Sequence, residues 1–342
     1  MSELLDARRE ALIARLPKVE LHLHIEGTLE PELMVELART RGVALPYRSV
    51  DEVRAAYKFA DLQSFLDLYY AGCAVLRERE DFAALARAYF RRAAADGVVH
   101  AELFFDPQTH TARGVAIGDV IAGLHDAMAE ARDQLGVTSE LILCFLRHLS
   151  EADAEATLDA ALPYRDRFIG VGLDSGERGN PPSKFARVFA RARGLGLHAV
   201  AHAGEEGPAA YIREALTVLE VERIDHGVRC DEDPALVSEL ALAQVPLTVC
   251  PLSNRALAVT PDLARHNFAT LLRANVAVTI NSDDPAYFGG YIADNYRAIA
   301  AATGLTEGEL VIAAENAVRA AFLSDARKQE LLGQIRGVAE TI

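Results

Sequence analysis

The 342-residue sequence contains no tryptophan, only four cysteines and no long hydrophobic run. The cysteines are widely separated and form no Cys-x-x-Cys pair, so the sequence favours reduced, mostly buried thiols over a zinc knuckle or a disulfide scaffold. No apolar stretch approaches the roughly 18 residues of a membrane span, and the N-terminal segment carries several charges. We therefore expect a cytoplasmic protein.

Basic residues are also few relative to acidic ones: 35 Lys and Arg face 50 Asp and Glu, giving a formal net charge of -15. Nucleic acids and anionic membranes are bound through clustered Lys and Arg, so neither is expected as a main partner. Hydrophobic residues make up 51% of the chain, which is ample material for a globular core.

The hydrophobic pattern alternates between short strand-like runs and helical stretches. Eight strands are predicted, at residues 19–24, 98–105, 140–146, 168–174, 198–202, 223–226, 246–250 and 277–281. A helix is expected at 2–16, a helical insertion at 31–90 after strand one, and further helices beyond residue 293. The alternation predicts a (β/α)8 TIM barrel formed by one domain, residues 1–342.

Residues 19–28 place His22 and His24 on one face of the first predicted strand. Two adjacent imidazoles invite a metal ion, although an isolated His-x-His is also typical of a half-exposed strand without one. Residues at the ends of the other strands favour the metal site, because barrel active sites lie at the carboxyl ends of the strands. His202 and Asp283 occur at such ends, so His22, His24, His202 and Asp283 are predicted to bind one divalent metal ion, with Zn²⁺ expected.

Three neighbouring residues are candidates for the remaining chemistry. Glu205 follows His202 in a glycine-flanked turn and is a candidate general acid, or else a solvated loop carboxylate. His226 ends strand six and is a candidate for handling the attacking water, or else a core histidine. Asp284 adjoins Asp283, so its side chain must point elsewhere, and substrate contact is its expected role.

The motifs at residues 17–28, 202–205, 223–227, 250–254 and 282–285 together resemble the adenosine and adenine deaminase family, in family order over nearly the whole chain. The resemblance implies a zinc ion on the four predicted ligands and hydrolytic attack of an activated water at C6 of a purine. It further implies that Glu205 protonates purine N1, His226 orients and deprotonates the water, and Asp284 hydrogen-bonds N7.

The segments at residues 104–110, 145–150 and 223–227 resemble the adenine deaminase branch of the family. This resemblance implies a free purine base as the small-molecule substrate and hypoxanthine as the product. Glu26 replaces the aspartate that contacts ribose in the nucleoside enzymes, and its extra methylene would intrude on that space. Glu177, in the turn after strand four, is predicted to accept a hydrogen bond from the imidazole edge of the base, with a surface salt bridge as the alternative.

The remaining alternatives are deamination of adenosine, deamination of N6-substituted adenines, and a catalytically silent barrel that only binds ligands. A nucleic-acid editing deaminase is not supported: His100 and Glu102 mimic its His-x-Glu, but the required Pro-Cys-x-x-Cys is missing. The sequence does not indicate an oligomeric state.

Overall fold

The computed structural model of the protein describes residues 6–342. Within them, eight parallel strands pair in sequence order. They are β1 (Lys18–His24), β2 (Val98–Phe105), β3 (Thr138–Leu146), β4 (Gly170–Asp174), β5 (His198–Ala203), β6 (Arg223–His226), β7 (Leu247–Val249) and β8 (Val278–Ile280). A parallel bridge between Leu23 and Asp283 joins β1 to the segment after β8, so the sheet closes into a barrel.

Helices surround this barrel. Helix α1 (Ala7–Arg15) precedes β1, and four helices form the insertion after it: α2 (Pro31–Arg41), α3 (Val50–Ala56), α4 (Leu62–Gly72) and α5 (Arg79–Ala95). Between the later strands lie α6 (Pro107–Thr111), α7 (Ile117–Leu135), α8 (Glu151–Ala161), α9 (Ala186–Gly194), α10 (Ala209–Glu214), α11 (Pro234–Ala243), α12 (Pro251–Ala256) and α13 (Phe268–Arg273). After β8 come α14 (Pro285–Phe288), α15 (Ile292–Thr303), α16 (Glu307–Ala320) and α17 (Asp325–Ala339).

The predicted TIM barrel, the helical insertion and the C-terminal helices are confirmed. The strand bounds differ by a few residues, and Phe168 lies before β4 rather than in it. The helix expected at 2–16 begins at Ala7, and residues 2–5 of that prediction lie outside the described residues. No described helix is both long and apolar enough to cross a membrane.

Three short helices are absent from the sequence prediction. Helices α6, α12 and α14 begin with Pro107, Pro251 and Pro285, which lie two, two and five residues beyond the ends of β2, β7 and β8. Proline is favoured at the first helical position, where its missing N–H is not needed and its fixed φ suits the helix. These helices therefore turn the chain sharply at the carboxyl end of the barrel.

The core is built from nearly continuous apolar strands, as expected for parallel strands covered on both faces. Phe104, Ile142, Cys144 and Val200 pack together inside the barrel. The outward-facing side chains of the same strands join the larger core beneath the helices. All four cysteines are buried free thiols, as the sequence predicts.

The amino end of the barrel contains a buried ion pair. Arg223, the first residue of β6, lies 2.6 Å from the Glu102 carboxylate in β2, and neither side chain is exposed. The Phe322 ring, after α16, covers the guanidinium at 4.9 Å and stacks on the His198 ring at 3.8 Å. The chain after α16 thus closes this end, and the opposite end is left for a site.

Candidate metal centre and active site

The four predicted metal ligands meet at the carboxyl end of the barrel. His22 and His24 lie on β1, His202 lies on β5, and Asp283 follows β8. Because β1 is extended, His22 and His24 face the interior while Leu23 between them points into the core. Backbone hydrogen bonds from His24 to Asp283 and from Asp283 to His22 fix the carboxylate beside both imidazoles.

The ligand atoms are close enough to share one ion. Asp283 Oδ1 lies 3.3 Å from His22 Nε2 and 3.5 Å from His24 Nε2, and the Nε2 atoms of His24 and His202 are 3.2 Å apart. His226 Nε2 lies 3.6 Å from Asp283 Oδ2. Ligand atoms of His22, His202, His226 and Asp283 all lie within 4.8 Å of one another. The structure thus brings together every predicted ligand, with His226 beside them.

The outer nitrogens of these rings are held by other parts of the barrel. Thr248 Oγ1 on β7 lies 2.9 Å from His22 Nδ1 and donates a 2.9 Å hydrogen bond to Asp225. The second oxygen of Asp225 lies 3.6 Å from His202 Nδ1. His22 Nε2, in contrast, is buried and has no hydrogen-bond partner among the described residues. Fixing Nδ1 and leaving Nε2 inward is how proteins orient metal-binding imidazoles, so these residues fit a divalent ion.

The backbone is strained where the site is assembled. His226 has φ 63° and Asp283 has φ 64°, which is left-handed backbone that residues other than glycine seldom adopt. Such conformations cost on the order of 1–3 kcal/mol each and persist where the surrounding structure enforces them. Here the two strained residues are neighbours in the site, with His226 Nε2 lying 3.6 Å from Asp283 Oδ2.

Glu205 lies next to the predicted metal ligands in surroundings that favour a protonated carboxyl group. Its Oε2 is 3.6 Å from His226 Nε2. Its side chain is buried in the wall of a cavity that is also lined by His24, His202 and Asp283. Burial raises the pKa of Glu205 well above its usual range, and the nearby Asp283 and Glu177 carboxylates raise it further. A neutral carboxyl group at neutral pH can act as a general acid.

Asp284 also lines the cavity, and its surroundings favour the protonated form in the same way. Burial raises its pKa well above the usual range, and the adjacent Asp283 carboxylate adds repulsion. The turn that places it needs Gly27, because a Cβ there would lie 2.0 Å from the Asp284 carboxyl oxygen. Asp284 can therefore donate a hydrogen bond into the cavity.

A chain of hydrogen bonds supports His226 from behind. The backbone N–H of Phe268 donates to His266 Nδ1, so Nε2 of a neutral His266 carries the proton and donates to Asn254 Oδ1 at 3.1 Å. The Asn254 amide nitrogen then faces His226 Nδ1 at 3.5 Å. Burial, together with repulsion from His22, lowers the pKa of His226 to about 3, so its ring is neutral. This chain places the proton of the neutral ring on Nε2, facing the site.

Two residues predicted to contact the substrate lie elsewhere. Glu177 is buried, so it forms no surface salt bridge, but it is not among the described residues that line the cavity; its carboxylate binds backbone N–H groups of residues 204–207. Glu26 lies behind the cavity wall, where one oxygen accepts from the Asp106 backbone N–H and from His110 Nε2. Neither carboxylate reaches the cavity.

The cavity wall contains residues that sequence reasoning missed. Asp106 and Asp174 supply carboxyl groups, and Ser175 adjoins them. Helix α4 covers the opening with apolar and aromatic side chains, namely Leu62, Phe65, Leu66, Tyr69 and Tyr70. Two signals could have found the acids: Asp106 directly precedes Pro107, as Asp284 precedes Pro285, and Asp174 ends a predicted strand.

Comparison with known proteins defines the class. The family model described as adenosine deaminase matches residues 17–338, so the chain belongs to the adenosine deaminase family. An adenine deaminase of Cupriavidus pinatubonensis is 61% identical over 97% of this chain and 94% of that protein. The crystal structure of an adenine deaminase from Arthrobacter aurescens superposes with a TM-score of 0.94 at 51% identity, covering 95% of this chain and 99% of that one. An amidohydrolase from Burkholderia ambifaria with bound Zn is 27% identical, with a TM-score of 0.90 over 98% of this chain and 95% of that one.

Proposed function

We propose that this protein is an adenine deaminase, which hydrolyses adenine to hypoxanthine and ammonia. The observation that carries the proposal is the buried carboxyl group of Glu205 beside a cluster of four histidines and Asp283, in a chain 61% identical to a relative named adenine deaminase. We propose that the enzyme acts in the cytoplasm, where it would serve purine salvage.

We further propose that His22, His24, His202 and Asp283 hold one Zn²⁺ ion. Three imidazole nitrogens and one carboxylate oxygen are typical zinc ligands, and a related amidohydrolase contains bound Zn. Such an ion supplies Lewis acidity, which makes a water molecule acidic enough to serve as a nucleophile near neutral pH.

The protein side chains then determine where the base binds and which atoms receive protons. Glu205 protonates N1, which draws electrons from C6 and favours attack there. Asp284, whose pKa is raised by burial, donates a hydrogen bond to N7, which is an acceptor. His226 lies beside Glu205 and orients the attacking water.

The proton balance of the reaction closes with one water molecule. Its oxygen replaces the amino nitrogen on C6, one of its protons ends on N1, and the other leaves with the amino group as ammonia. Helix α4 covers the cavity with Phe65, Tyr69 and their neighbours, which keeps bulk water away from the reacting base.

Glu26 and Glu177 serve this site as positioning residues rather than as contacts to the base. Glu177 holds the backbone of the loop that carries Glu205, and Glu26 holds the backbone of Asp106. Their predicted effect on the choice of purine is thus exerted through the residues they position.

The test is a substrate comparison with the zinc-loaded protein. Ammonia release is measured from adenine, adenosine and an N6-alkyl adenine under one set of conditions, with released alkylamine assayed for the last. We expect the highest kcat/KM with adenine and loss of turnover in Glu205→Gln. An equal or higher kcat/KM with adenosine or the N6-alkyl adenine would reassign the substrate, and bound metal without turnover of any aminopurine would support a silent binding protein.

A further inference from the structure

One wall of the cavity carries carboxyl oxygens that have no hydrogen-bond donor within the described residues. Asp106 and Asp174 are each 2% exposed and line the cavity. Oδ1 of Asp106 and both carboxyl oxygens of Asp174 accept no hydrogen bond from any residue in the described part of the chain. Burying a carboxylate oxygen without a hydrogen-bond donor costs free energy. Such oxygens in the wall of the cavity therefore indicate a ligand that supplies an N–H group.

The two carboxyl groups differ in what else they face. Asp174 Oδ2 lies 3.5 Å from Nδ1 of the metal ligand His24, so this carboxyl group faces the metal site. Asp106 has the Tyr69 hydroxyl at 3.3 Å from its Oδ2, and its Oδ1 is left for the cavity. Asp174 Oδ1 also has no donor, but Asp174 already faces a metal ligand through its other oxygen, so Asp106 is the acceptor better placed for a substrate.

The position of Asp106 is enforced from behind. Its backbone N–H donates a 3.1 Å hydrogen bond to Glu26, whose same oxygen is 2.8 Å from His110 Nε2. Pro107 then starts α6 directly after it. Asp106 thus lies on a rigid turn, with its side chain fixed toward the cavity.

We propose that Asp106 accepts a hydrogen bond from the ring N–H of the five-membered ring of a free purine base, and so selects the base over its N9-substituted forms. This inference rests on the proposed function, because it assumes that C6 is presented to Glu205 and the metal ligands. In a nucleoside N9 carries the sugar, so no N–H is present there, and Asp106 would be buried without a donor. A site built to bind a polar hydrogen rejects ligands that lack it far more strongly than an apolar pocket would.

The inference is tested by ligand binding to the zinc-loaded protein, independently of turnover. Dissociation constants of hypoxanthine and 9-methylhypoxanthine are measured by calorimetry for the wild type, Asp106→Asn and Asp106→Ala. Asp133→Asn, which alters an exposed carboxylate, is the matched control. Zinc content and Tm are recorded for each variant, and if Asp106→Ala does not fold, the isosteric Asp106→Asn carries the test.

We expect the wild type and Asp133→Asn to bind hypoxanthine at least about 10-fold more tightly than its 9-methyl form. Asp106→Asn should weaken hypoxanthine binding by roughly 10-fold and Asp106→Ala by up to roughly 100-fold, while binding of the 9-methyl form is unchanged or improved. Equal loss for both ligands, or unchanged hypoxanthine binding, would overturn the assignment, as would a wild type that does not discriminate. Failure of the proposed function is seen separately, as absence of ammonia release from adenine by the wild type.

Discussion

The carboxylate of Glu177 accepts a 3.0 Å hydrogen bond from the backbone N–H of Glu205, the proposed general acid. The neighbouring N–H groups of Gly204, Glu206 and Gly207 donate to the same carboxylate. Successive backbone N–H groups form an anion-binding concavity, and here the anion is a side chain of the protein itself. A Cβ on Gly207 would lie 2.5 Å from Glu177 Oε1, so the loop can approach this closely only with glycine there.

Glu177→Gln should therefore impair catalysis, although the side chain of residue 177 does not contact the substrate. The amide presents an NH₂ group to backbone donors, so the loop must shift and Glu205 moves with it. Because small displacements of catalytic groups can cost about 100-fold in rate, we expect kcat to fall by roughly 10- to 100-fold with a small change in KM. Steady-state kinetics with adenine measure this, and Glu206→Gln in the same loop is the control. Kinetic constants equal to those of the wild type would contradict the positioning role.

The barrel could be predicted because parallel strands covered on both faces leave long apolar runs at regular spacing. The carboxyl ends of those strands then indicated His22, His24, His202 and Asp283, since the fold gathers these ends into one site. The short helices α6, α12 and α14 were missed because they have only four to six residues and no apolar periodicity.

The roles of Glu177, Asp106 and Asp174 depend on contacts between segments that are distant in the sequence. Glu177 is 28 residues from Glu205, and no local pattern shows that a carboxylate after β4 will bind the loop after β5. Asp106 and Asp174 come from different strands, and their shared wall exists only once β2 and β4 take their places in the barrel. Such pairings are tertiary, so residue type and spacing alone could not assign them.

His226 is expected to act as a hydrogen-bond donor through Nε2. The chain from the Phe268 N–H through His266 and Asn254 leaves Nδ1 as the acceptor of a neutral ring. Gln retains an N–H donor near this position, whereas Ala has none. We therefore expect His226→Gln to keep roughly 10-fold more kcat than His226→Ala, a difference typical of one hydrogen bond in a buried site.

The alternative implied by the family resemblance is that His226 removes a proton from the attacking water. Gln cannot act as a base, so in that case His226→Gln and His226→Ala would have equally low kcat. Zinc content must be measured for both variants, because His226 Nε2 lies 3.6 Å from Asp283, a proposed zinc ligand. Asn254→Ala provides a matched change one residue further along the chain of hydrogen bonds.

Removal of the metal ion should abolish activity and lower stability. The buried His22 Nε2 and the Asp283 carboxylate would lose their shared partner. A ligand that binds only the folded state stabilises it by about 4 kcal/mol when its free concentration is 1,000 times Kd. Tm and ammonia release are measured after chelation and again after adding Zn²⁺. Full activity in metal-free protein would contradict the proposed centre.

The buried pair of Glu102 and Arg223 should stabilise the barrel far from the site, and its contribution should depend on pH. Burial raises the pKa of Glu102, but attraction to Arg223 and hydrogen bonds to its carboxylate outweigh this and lower the pKa from 4.5 to about 2. Removing one partner of a buried ion pair leaves an uncompensated charge, so Glu102→Gln should lower the free energy of unfolding by about 3–5 kcal/mol near neutral pH.

Because the pKa of Glu102 is lower in the folded state than in the unfolded state, its stabilisation is complete above its unfolded pKa and is lost as pH falls toward its folded pKa. The difference in unfolding free energy between wild type and Glu102→Gln should thus be constant above about pH 5 and shrink between about pH 4.5 and 2. Urea unfolding across this range measures it. The double variant Glu102→Gln/Arg223→Met should recover part of the loss, because no lone charge remains buried. A difference that does not change with pH, or a double variant less stable than the single one, would show that the charge of Glu102 is not what stabilises this end of the barrel.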